Sequence, residues 1–279
     1  FTPPSSPYGK VYTVTGTKKF GTASGEFKGS GEYLSLADSD DWYFGNADFT
    51  IDFLLRLNSQ PTTDTVFTLC SQYKTATPDR AFQFDYLDNS GTKYLRFYYT
   101  IDGTLGTGVP LSVVQTLSNA TWYHITLVRS GANLMFFVDG VQSGASQNIS
   151  TNTIYSAAAS LLIGCVNETS LSYFLDGYLD ELRISKGIAR WTSNFTPPSA
   201  PYETDTTSPT VSSTSPASSA TGVGVSSAIS ATFSEDMDSS TITTSTFTLS
   251  SVSGTVSYSN KVATFTPSSN LSYSTTYTA

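Results

Sequence analysis

Phe49-Thr-Ile-Asp-Phe-Leu-Leu-Arg-Leu57 decides the fold class. In an extended chain Phe49, Ile51, Phe53, Leu55 and Leu57 fall on one side, and Thr50, Asp52, Leu54 and Arg56 on the other. That period of two marks a strand with one face in a core. The pattern recurs in both directions from there. Phe82-Gln-Phe-Asp-Tyr86 and Tyr94-Leu-Arg-Phe-Tyr-Tyr99 flank Asp88-Asn-Ser-Gly91, a hairpin turn. Trp122-Tyr-His-Ile-Thr-Leu-Val-Arg129 and Leu134-Met-Phe-Phe-Val138 flank Ser130-Gly-Ala-Asn133, and Asp139-Gly140 supplies a further tight turn. Short strands at roughly ten-residue spacing, punctuated by Gly, Asn, Asp and Pro, predict an all-β sandwich or barrel. Only Lys186-Gly-Ile-Ala-Arg-Trp191 suggests a helical turn.

The 279 residues suffice for one large all-β domain or two smaller ones. Charged residues make up 13% of the chain, so Ser, Thr, Gly and Tyr fill the surface, which suits sheets and argues against helical bundles. A formal charge of −8, with Lys18-Lys19 the densest basic spot, excludes nucleic acid and disfavours an anionic membrane. The longest apolar stretch, residues 157–166, is far shorter than the ~20 residues of a membrane-spanning helix. Cys70 and Cys165 sit in apolar runs, and two buried free thiols are the expectation ahead of a single bridge.

The octapeptide Phe1-Thr-Pro-Pro-Ser-Ser-Pro-Tyr8 returns as Phe195-Thr-Pro-Pro-Ser-Ala-Pro-Tyr202, with seven of eight positions matching at an offset of 195 − 1 = 194 residues. Repetition at one domain length reads as an array in which each copy closes a module, so residues 1–8 are the expected tail of a preceding module. The alternative is one domain that uses both segments as matching clasps. Past Tyr202, Glu203-Thr-Asp-Thr-Thr-Ser-Pro209 is polar and lacks apolar anchors. The remainder is Ser/Thr-rich, with strands expected at 228–233, 246–249, 255–258, 262–265 and 273–278. The predicted organisation is a module tail at 1–8, a first domain at 9–203, a linker at 204–208 and a small sandwich at 209–279. That sandwich is expected to lack its last strand and to expose an edge.

The first domain resembles the laminin-G-like, concanavalin-A-like jelly-roll modules of bacterial surface and phage virion proteins. The words that carry the resemblance include Gly29-Ser-Gly-Glu-Tyr-Leu-Ser-Leu36, Asp38-Ser-Asp-Asp-Trp-Tyr-Phe-Gly45, Asp48-Phe-Thr-Ile51, Phe137-Val-Asp-Gly140 and Gly177-Tyr-Leu-Asp-Glu-Leu-Arg-Ile-Ser185. Residues 209–279 resemble a bacterial Ig-like module through Pro209-Thr-Val-Ser-Ser-Thr-Ser-Pro216, Phe233-Ser-Glu-Asp-Met-Asp238 and Ala263-Thr-Phe-Thr-Pro267. The resemblance implies a two-sheet antiparallel jelly-roll sandwich followed by a small Ig-like spacer. It also implies binding of carbohydrate or partner protein, although a fold does not fix a ligand.

The same sandwich hosts glucanases, whose Glu-x-Asp-x-x-Glu strand supplies two carboxylates at a set separation. No such spacing occurs here: in Asp176-Gly-Tyr-Leu-Asp180-Glu181 the last two acids are adjacent and face opposite sides of a strand. The single histidine, His124, has no neighbouring acid or nucleophile in sequence. The chain reads as non-enzymatic. Calcium fits the acidic composition better, because it takes hard oxygen ligands. Asp38 and Asp40 share a loop, which fails the EF-hand pattern because Tyr43 holds the position of the turn glycine. Asp180 is the third candidate, since an acid sits there in the resembling motif. One structural calcium ion is therefore an expectation. A solvated acidic loop and a carboxylate that bonds backbone amides stay open beside it.

Sugar recognition needs an aromatic platform and planar polar groups. If Phe82, Phe84 and Tyr86 face the core, Gln83 and Asp85 face outward; across the hairpin Arg96 and Tyr98 join them. Gln83, Asp85, Arg96 and Tyr98 are the candidate ligand-binding residues, with Asp52, Arg56 and His124 expected beside them. Any solvated sheet shows such a half-polar face, and an Asp85–Arg96 pair across the hairpin would stabilise it by ~0.2–1 kcal/mol without binding anything. Loop aromatics Trp42, Tyr73 and Tyr173 are secondary platforms, and Trp191 reads as a plug that pins the C-terminal segment to the sandwich. The expected protein is an extracellular, cell-surface or virion binding module that recognises a glycan or a surface protein. It is expected to stand among tandem modules, with no nucleic acid and no membrane span. The alternatives are a structural stalk and an accessory domain of a glycoside hydrolase in the same parent chain.

Overall fold

The computed structural model describes residues 10–74, 79–105, 108–167, 170–202, 208–237 and 239–279. The expected module tail at 1–8 and the linker residues 204–207 lie outside these. The chain divides into two compact units, Phe1–Tyr202 and Glu203–Ala279.

In the first unit the strands begin with β1 (Tyr12–Val14), β2 (Ser24–Lys28), β3 (Leu34–Leu36), β4 (Phe49–Leu57) and β5 (Val66–Lys74). β6 (Asp79–Asn89), β7 (Thr92–Tyr99), β8 (Val109–Val114), β9 (Trp122–Ser130) and β10 (Asn133–Val138) follow. β11 (Val141–Asn148), β12 (Leu161–Ile163), β13 (Val166–Asn167), β14 (Leu171–Ser172) and β15 (Asp176–Lys186) complete it. They form a seven-stranded sheet in the order β1-β2-β15-β4-β9-β10-β11 and an eight-stranded sheet built on β14-β13-β5-β6-β7-β8, to which β12 and β3 attach. All pairings are antiparallel except β13 with β5 among the described residues. Of the sandwich or barrel that the alternation predicts, this is the two-sheet sandwich that the resemblance implies.

The core lies between the inner faces. Phe49, Ile51, Phe53, Leu55 and Leu57 meet Phe82, Phe84, Phe97 and Tyr99 there, with Phe44 stacked on Phe49 at 4.2 Å between ring centroids. Both cysteines are free and buried, as expected. The β6–β7 hairpin closes through Ser90 and Gly91, whose φ values of 52° and 88° are those of a two-residue turn matched to strand twist. Residues 186–191 form no helical turn; Lys186 instead ends β15. A short 3-10 turn does occur at Asp40–Trp42, capped by Ser39, whose side chain accepts the N–H of Asp41.

One departure from the period-two reading matters for function. The outer residues of β4 are not open to solvent: Thr50, Asp52 and Leu54 are buried along with the inner ones. The chain after β15 returns across this outer face and covers it.

The second unit holds β16 (Val211–Ser215), β17 (Ile229–Phe233), β18 (Gly254–Ser259) and β19 (Val262–Pro267) in one sheet ordered β16-β17-β19-β18. Ala231, Leu249, Ala263 and Phe265 are its buried apolar residues. The expected strand at 246–249 is reduced to a Leu249–Val252 bridge, and 273–278 forms no strand, with Tyr273 exposed. Short Ser/Thr-rich segments carry too little apolar surface to fix a strand by pattern alone. Among the described residues no helix is long and apolar enough to cross a membrane.

Candidate functional site

Strand register decides what the eight-stranded sheet offers on its outer face. Residues directly opposite each other on paired strands share a face. Ser71 pairs with Gln83, Gln83 with Tyr98 and Tyr98 with Pro110; one step along, Thr68 pairs with Asp85, Asp85 with Arg96 and Arg96 with Ser112. Gln83, Asp85, Arg96 and Tyr98 therefore stand together, as the alternation predicts. They are bonded as well as adjacent. Arg96 donates to Asp85 Oδ2 from Nε (3.0 Å) and Nη2 (2.6 Å), while Oδ1 accepts from Thr68 Oγ1 (3.0 Å) and Gln83 Nε2 (2.8 Å). Burial pushes the Asp85 carboxyl above its ordinary range, against the opposing pull of Arg96 and these hydrogen bonds.

Three expectations about this face need correction. Gln83 and Asp85 point away from the core yet are buried, Asp85 completely, with Arg96, Thr68 and Gln83 closed around its carboxylate. Asp52, Arg56 and His124 are not beside them; they belong to β4 and β9 of the other sheet. Tyr73 is a buried residue of β5 rather than a loop platform, packed edge-on against Tyr98 at 6.2 Å. Tyr98 is itself held by the following loop, donating its hydroxyl to the carbonyl of Leu105 at 3.2 Å. Of the other platforms, Trp42 is half-buried and Tyr173 exposed.

The same face continues to a groove that sequence reasoning missed. Leu162 of β12 pairs with both Ser71 and Ser35, so one row runs Ser35–Leu162–Ser71–Gln83–Tyr98 across five strands. At the Ser35 end lies a groove of about 310 Å³ lined by Tyr33, Ser35, Tyr73, Lys74, Ser160 and Asn167, among others. Its walls come from β3, β5, β12, β13 and their loops, segments far apart in sequence, so no local motif announces it. A tyrosine, hydroxyls, an amide and an ammonium suit the edges of a polyhydroxylated ligand. Among the described residues the lining holds no carboxylate, imidazole or thiol.

The proposed calcium ligands do not assemble. Asp38 Oδ1 accepts from Gln72 Nε2 at 3.1 Å, and Asp40 opens the 3-10 turn, where its carbonyl accepts from Lys186 Nζ at 2.5 Å. Asp180 Oδ2 accepts the backbone N–H groups of Lys19 (2.9 Å) and Phe20 (3.1 Å), which is the amide-binding alternative. Among the described residues no three acidic, histidine or cysteine side chains come together. Calcium takes six to eight oxygens, and among the described residues Asp38, Asp40 and Asp180 do not supply theirs as one set.

A second polar cluster lies on the outer face of the seven-stranded sheet. Asp52, wholly buried on β4, takes Arg183 Nε on Oδ1 (3.1 Å) and Nη2 on Oδ2 (2.8 Å), and Oδ2 also accepts the hydroxyl of Tyr202. His124 Nε2 lies 3.1 Å from that hydroxyl and 3.4 Å from Oδ2. Burial works to raise the Asp52 pKa; hydrogen bonds from His124, Arg183 and Tyr202, with the Arg183 charge, outweigh it and hold the carboxyl below its ordinary range. The Arg183 guanidinium sits 3.8 Å over the Tyr202 ring. Trp191, the expected plug, stacks on Phe195 at 4.1 Å, and both rings meet His124 edge-on.

A profile described as the concanavalin A-like lectin/glucanases superfamily, of laminin-G type, matches residues 28–190. The chain belongs to that superfamily. A bacterial Ig-like domain profile matches residues 205–279. Solved structures similar to this superfamily member include domain 4 of AbnA, a GH43 extracellular arabinanase from Geobacillus stearothermophilus, in complex with arabinotriose. That match is 17% identical, with TM-score 0.46, over 66% of this chain and 78% of the other. A putative carbohydrate binding protein from Bacteroides ovatus is 17% identical, with TM-score 0.44, over 62% and 44%. A botulinum neurotoxin type C structure, described as dependent on two ganglioside molecules for cell entry, is 12% identical, with TM-score 0.47, over 64% and 42%. This chain thus spans less than half of the latter two. No curated protein matches it.

Proposed function

We propose that the first unit is a non-catalytic carbohydrate-binding module of a larger exported or surface protein, with the Ig-like unit as its spacer. The observation that carries this reading is the groove at Tyr33, Lys74 and Asn167, joined by one row of strand partners to Gln83 and Tyr98. It combines an aromatic ring with hydroxyl, amide and cationic groups on a rigid sheet, as recognition of sugar hydroxyls requires. Hydrolysis of a glycosidic bond needs two carboxylates placed for it. Among the described residues the groove is lined by none, and both oxygens of Asp85 are already taken. Affinity at one such groove is modest, and tandem copies or multimers raise it through effective concentration.

A glycan-array screen of the full chain tests this, with Tyr33→Ala and Lys74→Ala variants alongside. The expected result is binding to a related set of glycans, weakened about tenfold or more by either substitution, roughly 1.4 kcal/mol. One observation favours a structural stalk instead: the Gln83–Asp85–Arg96 network satisfies itself. Silence of the folded chain across the array would decide for the stalk.

A further inference from the structure

The segment that covers the outer face of the seven-stranded sheet is the second copy of the repeated octapeptide, and its contacts define a socket. Phe195 packs on Trp191, His124 and Phe137 and joins a small apolar cluster with Val128 and Met135. Its N–H donates to the carbonyl of Gly140 at 2.9 Å. A side chain on Gly140 would run into the Phe195 carbonyl and the Pro197 ring, at 1.9 and 3.0 Å from the Cβ position. At the other end Tyr202 donates its N–H to Glu181 (2.7 Å) and its hydroxyl to Asp52, under the Arg183 guanidinium.

These contacts map onto the other copy of the octapeptide. The anchoring residues Phe195, Pro197 and Tyr202 correspond to Phe1, Pro3 and Tyr8, identical in type. The one position that differs, Ala200 against Ser6, is exposed in the docked copy. Everything the socket reads is therefore present twice in the chain. The prolines also restrict the free peptide, so less conformational entropy is lost on docking.

We propose that this face is a peptide-binding socket for Phe-Thr-Pro-Pro-Ser-x-Pro-Tyr, and that residues 1–8 are a ligand for the same socket on a second module of this design. Within one module the covalently attached tail acts at an effective concentration on the order of millimolar, so it holds its own socket. An outside copy docks where that tail is absent or displaced. The partner is recognised by a buried carboxylate under an arginine at one end and an aromatic cluster beside a glycine turn at the other.

The test uses the full chain carrying Phe1→Ala, Tyr8→Ala, Phe195→Ala and Tyr202→Ala, which removes both internal ligands. Synthetic Phe-Thr-Pro-Pro-Ser-Ser-Pro-Tyr is titrated against it, with a control peptide in which Phe and Tyr are Ala. The expected result is a Tm raised by about 3 °C or more near saturation by the first peptide and not by the control. Adding Asp52→Asn should abolish most of the rise. No shift and no calorimetric binding by the folded variant would overturn the proposal. If the variant does not fold, refolding is followed by tryptophan fluorescence: recovery only with the peptide supports the socket, and failure with both peptides overturns it. Independently, Ala200→Ser makes the docked tail an identical copy of residues 1–8. An unchanged Tm is expected, and a fall of several degrees would show that residues 1–8 do not fit.

Discussion

The hydroxyl of Tyr202 donates to the carboxylate of Asp52, 150 residues earlier in the chain, and so ties the end of the first unit to the middle of strand β4. Asp52 would otherwise be a charge facing solvent from the outer side of a sheet. Covered by the returning chain, it is wholly buried and needs partners on both oxygens. Arg183, His124 and Tyr202 supply them.

Tyr202→Phe removes one hydrogen bond to a charged acceptor and leaves the ring in place. The expected cost is ~1.5–3 kcal/mol. Calorimetry reads it as a fall in Tm of the first unit, at roughly 2–4 °C per kcal/mol for a domain of this size. An unchanged Tm would mean that the tail is not fastened through Asp52.

The same cluster sets an acid limit. Because the folded Asp52 pKa is held down, the group contributes stability at pH above its unfolded value, near 4. That contribution is lost as pH falls through the folded value. Tm measured over pH 3–7 is expected to drop on the acid side of ~4, and Asp52→Asn to flatten that limb. Asp85 acts with the opposite sign, since burial raises its pKa and protonation in acid relieves the buried charge. Asp85→Asn should accordingly leave the acid limb in place or steepen it.

Strands β4, β6, β7, β9 and β10 were legible because a period of two over Phe49–Leu57 and the turns at Asp88-Asn-Ser-Gly91 and Asp139-Gly140 are local signals, whereas the two-sheet arrangement followed only from the family resemblance. The shared face of Gln83, Asp85, Arg96 and Tyr98 followed from the same local rule. What alternation cannot supply is what lies over an outward face. The Asp85–Arg96 pair lies within one hairpin and could be anticipated, but Asp52 is covered by a segment more than 100 residues downstream, a contact that no local window contains. The groove at Tyr33 and Lys74 was hidden for the same reason. Trp191 was readable as a plug because a large aromatic after the last strand has few other places to go. Its partner Phe195 was visible only as a repeat.

Gly140 provides a sharper probe of the docked tail than any aromatic. It holds φ of 75°, and its Cβ position is 1.9 Å from the carbonyl oxygen of Phe195. Gly140→Ala therefore meets ~1–2 kcal/mol of backbone strain in addition to a clash that neither backbone can avoid without moving. The expected outcome is release of the tail ahead of the sandwich. Limited proteolysis should cut within residues 192–202 much faster than in the unsubstituted chain while the two-sheet core stays protected. Equal cleavage rates would mean that the tail is not held against the Asp139-Gly140 turn.

Asp180 separates a metal ligand from an amide acceptor. As an acceptor of the Lys19 and Phe20 N–H groups it pins the segment between β1 and β2 to β15, and Asn in its place keeps one carbonyl oxygen but loses the charge that strengthens both bonds. Asp180→Asn should then cost ~0.5–1.5 kcal/mol. The decisive feature is that this cost is the same in millimolar calcium and in chelator, and that the unsubstituted chain keeps one Tm in both. A calcium ligand behaves differently: chelator lowers the Tm of the unsubstituted chain, and the substitution makes Tm insensitive to the metal. With Asp38 bonded to Gln72, Asp180 to two amides and no third acidic group beside either among the described residues, the first pattern is expected.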